Sequence, residues 1–276
     1  MAAREADSAG PDEVSSLFEP LLANPDVSGV FSDFDGTLAP IVEDPETAVP
    51  LEGAVEALAA VARRVARVGV ISGRPASFLL RHLEGVPVSM WGLYGLERVE
   101  QDDEGNSKVV PSPEAEEWRD AVDAAAAELE SEVGEPLSVE RKGLTVVLHF
   151  RRAPDREDLA REAAEATGRS SGLEVHPGRM SFELAPPVTG DKGTALEEAA
   201  KGLRGACFFG DDTGDLTAFD ALDRLARDEG VKTVKVGVRS EEAPAQLLER
   251  ADLVVDGPSG VVRVLRLLSA ERAKQP

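Results

Sequence analysis

The chain of 276 residues holds a single cysteine, which excludes any disulfide within it. Cys207 lies in the apolar run Ala206-Cys207-Phe208-Phe209, where a small buried side chain is expected, and a reducing, cytoplasmic location is the natural expectation. Long apolar runs are missing too. No stretch approaches the length needed to cross a bilayer, and the opening Met1-Ala2-Ala3-Arg4-Glu5-Ala6-Asp7 has none of the apolar core of a secretory leader, so a soluble protein with no membrane partner is expected. Positive charge is scarce: 30 Lys and Arg stand against 52 Asp and Glu, for a formal charge of -22. That balance argues against nucleic acid as a partner. It also means that an anionic substrate must be drawn in by a locally positive site, built from a metal ion and a few placed cations. What is present is a hydrophobic share of 42%, ample at this length for one large α/β domain or for a core carrying a smaller one.

The run Val30-Phe31-Ser32-Asp33-Phe34-Asp35-Gly36-Thr37-Leu38 ends an apolar strand in two carboxylates. Residues i and i+2 of an extended chain point to the same side, so Asp33 and Asp35 can face one site while Phe34 turns into packing. Gly36 permits a sharp exit, and the Thr37 hydroxyl with nearby amides could receive an anion. Taken alone, Asp-Phe-Asp-Gly also reads as a simple turn. Three later segments supply the other parts that an aspartate-based phosphoryl transfer needs.

Strand and helix patterns alternate on both sides of that run. A strand near Val27 to Asp33 leads to a loop through Ala39 to Pro45, a helix from about Leu51 to Arg67, a buried strand Val68-Gly69-Val70-Ile71, and a helix carrying Phe78 to Leu83. This alternation predicts a parallel sheet with helices on both faces. From about Pro111 the pattern changes to a long helix reaching about Val133, strands near Ser138 to Arg141 and Leu144 to Arg151, a helix from Asp155 to Ala166, and two strands, Leu173 to His176 and Met180 to Leu184, around a Pro177-Gly178 turn. Pro186-Pro187 marks the exit from this α+β unit. The α/β alternation then resumes with Lys192 to Leu203, Ala206 to Gly210, Leu216 to Asp228, Thr233 to Val238 and a final helix after Gly260.

Each resumed strand delivers polar groups at its carboxyl end, where ligand crevices of open α/β sheets lie. Ser72-Gly73-Arg74 offers a hydroxyl, amides and a guanidinium to a phosphoryl group, although the same three residues with Pro75 would serve as a plain loop. Lys192 opens a helix, where the dipole disfavours a cation, so a bound anion or a carboxylate partner is expected; a solvated lysine is the alternative. Phe209-Gly210-Asp211-Asp212-Thr213-Gly214-Asp215 again breaks from apolar to acidic. Magnesium takes near-octahedral oxygen ligands, which Asp33, Asp211 and the Asp35 carbonyl could supply with Asp215 orienting them from behind.

In that chain order, Asp33-x-Asp35-Gly36-Thr37, Ser72, Lys192 and Gly210-Asp211-Asp212-x-x-Asp215 resemble the four motifs of haloacid-dehalogenase (HAD) phosphatases, over nearly the whole chain. Within that superfamily, Asp35-Gly36-Thr37-Leu38-Ala39-Pro40-Ile41 with Asp44-Pro45, Gly92-x-x-Gly95-Leu96-Glu97, Glu140-x-Lys142, His149-Phe150-Arg151 and Asp191-Lys192-Gly193-x-Ala195-Leu196 resemble the trehalose-6-phosphate phosphatase family. The resemblance implies an α/β fold: a Rossmann-like parallel-sheet HAD core over residues 1–110 and 187–276, with a small inserted α+β cap over 111–186 that selects the substrate. It implies Asp33, Asp35, Ser72 and Lys192 as catalytic residues and Mg2+ held by Asp33, Asp35, Asp211 and Asp215. It further implies sugar-phosphate contacts from Gly36, Thr37, Gly73 and Arg74 in the core and from Glu140, Lys142 and Glu183 in the cap, in a monomer. Asp33 would attack the phosphoryl group and Asp35 would serve as general acid and then base. Two departures bear on substrate rather than chemistry: Ala185-Pro186 stands where relatives often carry Arg-Pro, and Tyr94 replaces a residue that is frequently His. The alternatives are the same chemistry on sucrose 6-phosphate or mannosyl-3-phosphoglycerate, a catalytically silent binding protein, and a phosphomutase. Alternating charges such as Glu140, Lys142 and Arg151 would equally suit a solvated strand face.

Overall fold

Short apolar runs, each closed by Gly, Asp or Ser, build one large sheet. A computed structural model describes residues 4–5, 11–42, 44–102, 104–178, 180–188, 190–240 and 243–270. Of the opening segment read as leaderless, residues 1–3 and 6–10 lie outside the described residues, as does Glu43 of the loop after Thr37. The strands in chain order are β1 (Arg4–Glu5), β2 (Ser28–Ser32), β3 (Arg67–Ile71), β4 (Ser89–Gly92), β5 (Glu97–Gln101), β6 (Ser107–Pro111), β7 (Ser138–Arg141), β8 (Val146–His149), β9 (Glu174–Gly178), β10 (Ser181–Ala185), β11 (Gly205–Gly210), β12 (Lys232–Arg239) and β13 (Leu253–Asp256). Nine of them form a sheet in the order β1-β13-β12-β11-β2-β3-β4-β5-β6, parallel from β1 to β4. The other four form an antiparallel sheet in the order β7-β8-β10-β9.

The chain divides into two compact units, one of residues 1–95, 99–108 and 190–276 and one of residues 96–98 and 109–189. In the first, the central strands are apolar on both faces, as parallel strands between helix layers must be. Val30, Val70, Cys207 and Phe209 face one core with Phe34, Leu58, Phe78 and Leu265, whereas Phe31, Ile71, Ala206 and Phe208 face another with Leu196, Phe219 and Leu222. Each buried Phe contributes about 1.5–3 kcal/mol relative to exposure. The alternation fixes register: a shift of one residue would send every side chain to the wrong layer.

In the second unit, helices Arg119–Glu132 and Glu157–Ser171 bury small residues, including Ala125, Ala126, Ala160 and Ala164, against Val146, Leu148, Phe182 and Leu184. The alternate residues Glu140, His149 and Glu183 are left for the opposite face of the sheet.

Several elements differ from expectation. The single helix expected from Pro111 to Val133 is two, Pro113–Glu116 and Arg119–Glu132, the first started by Pro113 and capped by the Ser112 hydroxyl, which accepts from the Ala115 N–H at 3.1 Å. Pro177 and Gly178 lie within β9, paired with Phe182 and Ser181, rather than forming a turn; β9 is an edge strand, where proline is tolerated. The helix expected from Leu51 starts at Ala54, after Gly53, and ends at Ala62. Strands β4, β5, β6 and β13 were not anticipated.

Candidate active site

Parallel register brings the chemistry together. Phe31 pairs with Phe208 and Ser32 with Phe209, and the Asp33 N–H continues the ladder onto the Phe209 carbonyl at 2.9 Å, so Asp33 leaves β2 beside Gly210-Asp211. On the other flank Ser32 pairs with Val70, which puts Ser72 alongside. Phe34 turns away as its alternation requires, fully buried edge-on to Phe78 with ring centroids 5.5 Å apart. Gly36 adopts φ 73°, and a methyl group there would fall 2.1–2.4 Å from the Asp211 carboxylate atoms, so both the turn and the close approach demand glycine.

Lys192 is the hub of the charge arrangement. Its helix, Lys192–Ala199, is started by a capping box in which the Asp191 side chain accepts from the Thr194 N–H and the Thr194 hydroxyl accepts from the Asp191 N–H. The side chain is 3% exposed, with its ammonium 3.0 Å from Asp33 Oδ1, 2.7 Å from Asp215 Oδ1 and 3.5 Å from Asp212 Oδ1. Burial works against its charge, but Asp215, Asp33 and Asp212 outweigh burial and hold its pKa well above the ordinary value. The carboxylate partner expected for a lysine at a helix start is therefore present twice over at close range.

Asp215 anchors the acidic loop. While Oδ1 accepts from Lys192, Oδ2 accepts from the Asp211 N–H at 2.8 Å and the Asp212 N–H at 3.0 Å. Asp211 receives the Thr37 hydroxyl at 3.2 Å and the Ser240 hydroxyl at 3.0 Å. Burial, reinforced by Asp215 and Asp212 and opposed by the Ser240 bond and Lys192, raises the Asp211 carboxyl to about 7. Burial likewise lifts Asp215 to about 6 against the pull of Lys192, and drives Asp33 well above the carboxylate range. Oxygens of Asp33, Asp211 and Asp215 lie within 4.8 Å of one another, and these three residues are buried. With Asp212 alongside, four carboxylates face one ammonium. Such a cluster fits a divalent cation, because hard oxygen donors that resist ionising together are relieved by a cation among them.

Asp35 sits to one side of this cluster. Arg74 grips it with both ends of the guanidinium, Nε to Oδ2 at 2.8 Å and Nη2 to Oδ1 at 2.8 Å, the fork that suits carboxylates. The guanidinium also lies 4.4 Å from the centre of the Phe78 ring. Ser72, 2% exposed, accepts the Arg74 N–H at 3.2 Å on its hydroxyl, which shapes the loop between them.

The second unit places its expected residues in pairs. Glu140 Oε2 is 2.7 Å from His149 Nε2, and the Thr145 hydroxyl donates to Glu183 Oε1 at 2.7 Å. Lys142 is half-buried at the start of the turn after β7, its N–H donating to the Thr145 carbonyl at 2.9 Å.

The family model described as trehalose-phosphatase matches residues 31–251, most of the chain and every site residue described in this section. The chain belongs to that family. Among curated relatives, the trehalose-phosphate phosphatase of Mycobacterium avium is 37% identical over 205 residues, covering 70% of this chain and 51% of that protein. An uncharacterized glycosyl hydrolase of Mycobacterium tuberculosis is 36% identical over 205 residues, covering 70% of this chain and 15% of that protein. The chain thus spans about half the length of the first relative and a small part of the second. Among solved structures, the C-terminal domain of a C. albicans trehalose-6-phosphate phosphatase superposes with a TM-score of 0.69 at 20% identity, covering 98% of this chain and 99% of that one; this likeness speaks for the fold.

Contacts made by Ser240, Thr145 and His149 are not announced by the sequence pattern. Ser240, at the end of β12, holds Asp211, and the rule that strand carboxyl ends line the crevice could have found it. Thr145 and His149 hold Glu183 and Glu140 across strands, which no single-strand pattern reveals. Among the described residues, no helix is long and apolar enough to cross a membrane.

Proposed function

We propose that this chain is a phosphatase that hydrolyses trehalose 6-phosphate to trehalose and phosphate through an aspartyl-phosphate on Asp33. The observation that carries the reading is the buried Asp33 carboxylate, held 3.0 Å from Lys192 beside Asp211 and Asp215, with a second carboxylate two residues on. Lys192 fixes the orientation of Asp33 and offsets charge on the phosphoryl oxygens. The carboxylate of Asp33 attacks phosphorus in line, the ester oxygen leaves with the sugar, and water then cleaves the acyl phosphate, so two easier steps replace one hard one.

Asp35 gives a proton to the departing sugar oxygen and takes one from the attacking water. Its present pairing with Arg74 is the acceptor state; donation requires the carboxyl to turn off the guanidinium. Ser72, Gly73, Gly36 and Thr37 would present hydroxyl and amide donors to the phosphoryl oxygens. Asp33, Asp211 and the Asp35 carbonyl would hold Mg2+, with Asp215 behind them, and the ion would supply positive charge to the transferring group. In the inserted unit Glu140, Lys142 and Glu183 would grip sugar hydroxyls through charge-assisted hydrogen bonds. The family membership supports the substrate.

The test is phosphate release, with and without Mg2+, from trehalose 6-phosphate, sucrose 6-phosphate, glucose 6-phosphate and mannosyl-3-phosphoglycerate. Selective, Mg2+-dependent turnover of trehalose 6-phosphate is the expected result. Preference for another ester would retain Asp33 chemistry and remove the sugar assignment, whereas no release from any would sink the phosphatase reading.

A further inference from the structure

Leu93 and Tyr94 hold backbone φ angles of 47° and 58°, the left-handed region that side chains resist. Leu93 is buried at its strained position, at 1% exposed, whereas Tyr94 stays 39% exposed at its own. Strain without burial tends to mark a working residue. The turn is pinned on one side to the loop after β3: the Leu93 N–H donates to the Arg74 carbonyl at 2.9 Å and the Tyr94 N–H to the Ser72 carbonyl at 3.0 Å. The hydroxyl end of the phenol covers the residue between them, since a methyl group on Gly73 would meet Tyr94 Cζ and Oη at 2.7 Å. On the other side a methyl group on Gly95 would lie 2.9 Å from Cβ of Ala195, in the helix that Lys192 begins. Tyr94 is therefore bracketed by two segments of the phosphoryl site and presents an exposed ring beside them.

We propose that Tyr94 is a specificity residue of this site, its phenol packing on the sugar that carries the phosphate and so favouring sugar phosphates over small phosphate esters. This rests on the reading of the chain as a sugar phosphatase. A phenol suits the role because its ring accepts the C–H face of a pyranose while its hydroxyl stays polar.

The test compares wild type, Tyr94→Gly and Tyr94→Asn on trehalose 6-phosphate and on acetyl phosphate, which has no sugar. Both replacements tolerate a positive φ, so the backbone turn is kept or relaxed. The expected result is a fall in kcat/KM of about tenfold or more on the sugar phosphate, a much smaller fall on acetyl phosphate, and a melting temperature that does not drop. Equal falls on both substrates would make Tyr94 a prop for the Ser72 loop, and no fall on either would make it surface; each overturns the proposal. Wild type that cleaves acetyl phosphate but no sugar phosphate would fail separately, by removing the function on which the proposal rests.

Discussion

The charges of the first unit's site and those of the inserted unit's sheet face are held in opposite ways. Asp33, Asp215 and Lys192 have side chains 5%, 0% and 3% exposed, and each depends on the others, because a buried ion without its partner is strongly penalised. Glu140 and His149 pair while 38% and 27% exposed, close enough to water that losing a partner is mild. The first arrangement suits a site that must do chemistry on any phosphate ester. The second suits one that chooses among sugars, where small differences in affinity suffice and residues can change without unfolding the chain.

The largest effect should come from Asp33→Asn. Removing the proposed nucleophile is expected to lower phosphate release by about four orders of magnitude or more, while Lys192 keeps Asp215 as a partner at 2.7 Å and the chain stays folded. Residual activity within tenfold of wild type would end the contrast, since the buried cluster would then not be where the reaction happens. Next is Lys192→Met, which strands Asp33 and Asp215 together. Urea unfolding at neutral pH without divalent cations should show a loss of about 3–5 kcal/mol. Arg141→Met, which breaks an exposed pair with Glu130 in the inserted unit, should leave the urea midpoint almost unmoved. Similar losses in the two variants would erase the distinction.

A smaller effect separates the units by pH. Asp211 ionises at about 7 in the folded protein against 3.8 as its ordinary value, and Asp215 at about 6. Between the ordinary and the raised values the folded state holds protons that the unfolded state has lost. Stability in EDTA should therefore fall as pH rises from about 4 to 7 and stay low above 7. Asp211→Asn should flatten this slope, and Mg2+ should raise the melting temperature more at pH 7.5 than at pH 5. Equal Mg2+ shifts at the two values would show that no cation relieves these carboxylates.

This contrast also explains what was legible in the sequence. Asp33, Ser72 and Asp211 each follow an apolar run, so a strand breaking into polar residues announced them and the parallel register aligned the ends, whereas Lys192 was marked by a cation opening a helix. The chemistry was therefore visible residue by residue. The grip of Arg74 on Asp35 was not, since it joins residues 39 apart through a loop whose shape depends on Ser72 and Leu93. Pairs such as Glu140 with His149 depend on antiparallel register, which follows from packing of alanine-rich helices on the far side of the sheet rather than from any local signal. Ser240 and the edge proline Pro177 were missed for the same reason: their meaning comes from neighbours distant in the chain. Local pattern writes strand ends well and cross-strand partners poorly.

The gentlest prediction probes that poorly written part. In the proposed reading Glu140 would offer a carboxylate to a sugar hydroxyl, and His149 steadies it at 2.7 Å. Glu140→Gln keeps the shape and removes the charge, so the loss should be that of one charge-assisted hydrogen bond, about 1.5–3 kcal/mol, seen as a rise in KM for trehalose 6-phosphate of about tenfold to a hundredfold. Turnover of acetyl phosphate should be unaffected, because it has no hydroxyl for Glu140 to accept, and the melting temperature should stay within a degree or two because the side chain is partly solvated. His149→Gln retains a donor toward Glu140 and should raise KM less than His149→Ala does. If Glu140→Gln instead lowered kcat on acetyl phosphate as Asp33→Asn does, the two regions would share one task, and the division between a site for chemistry and a face for choice would fail.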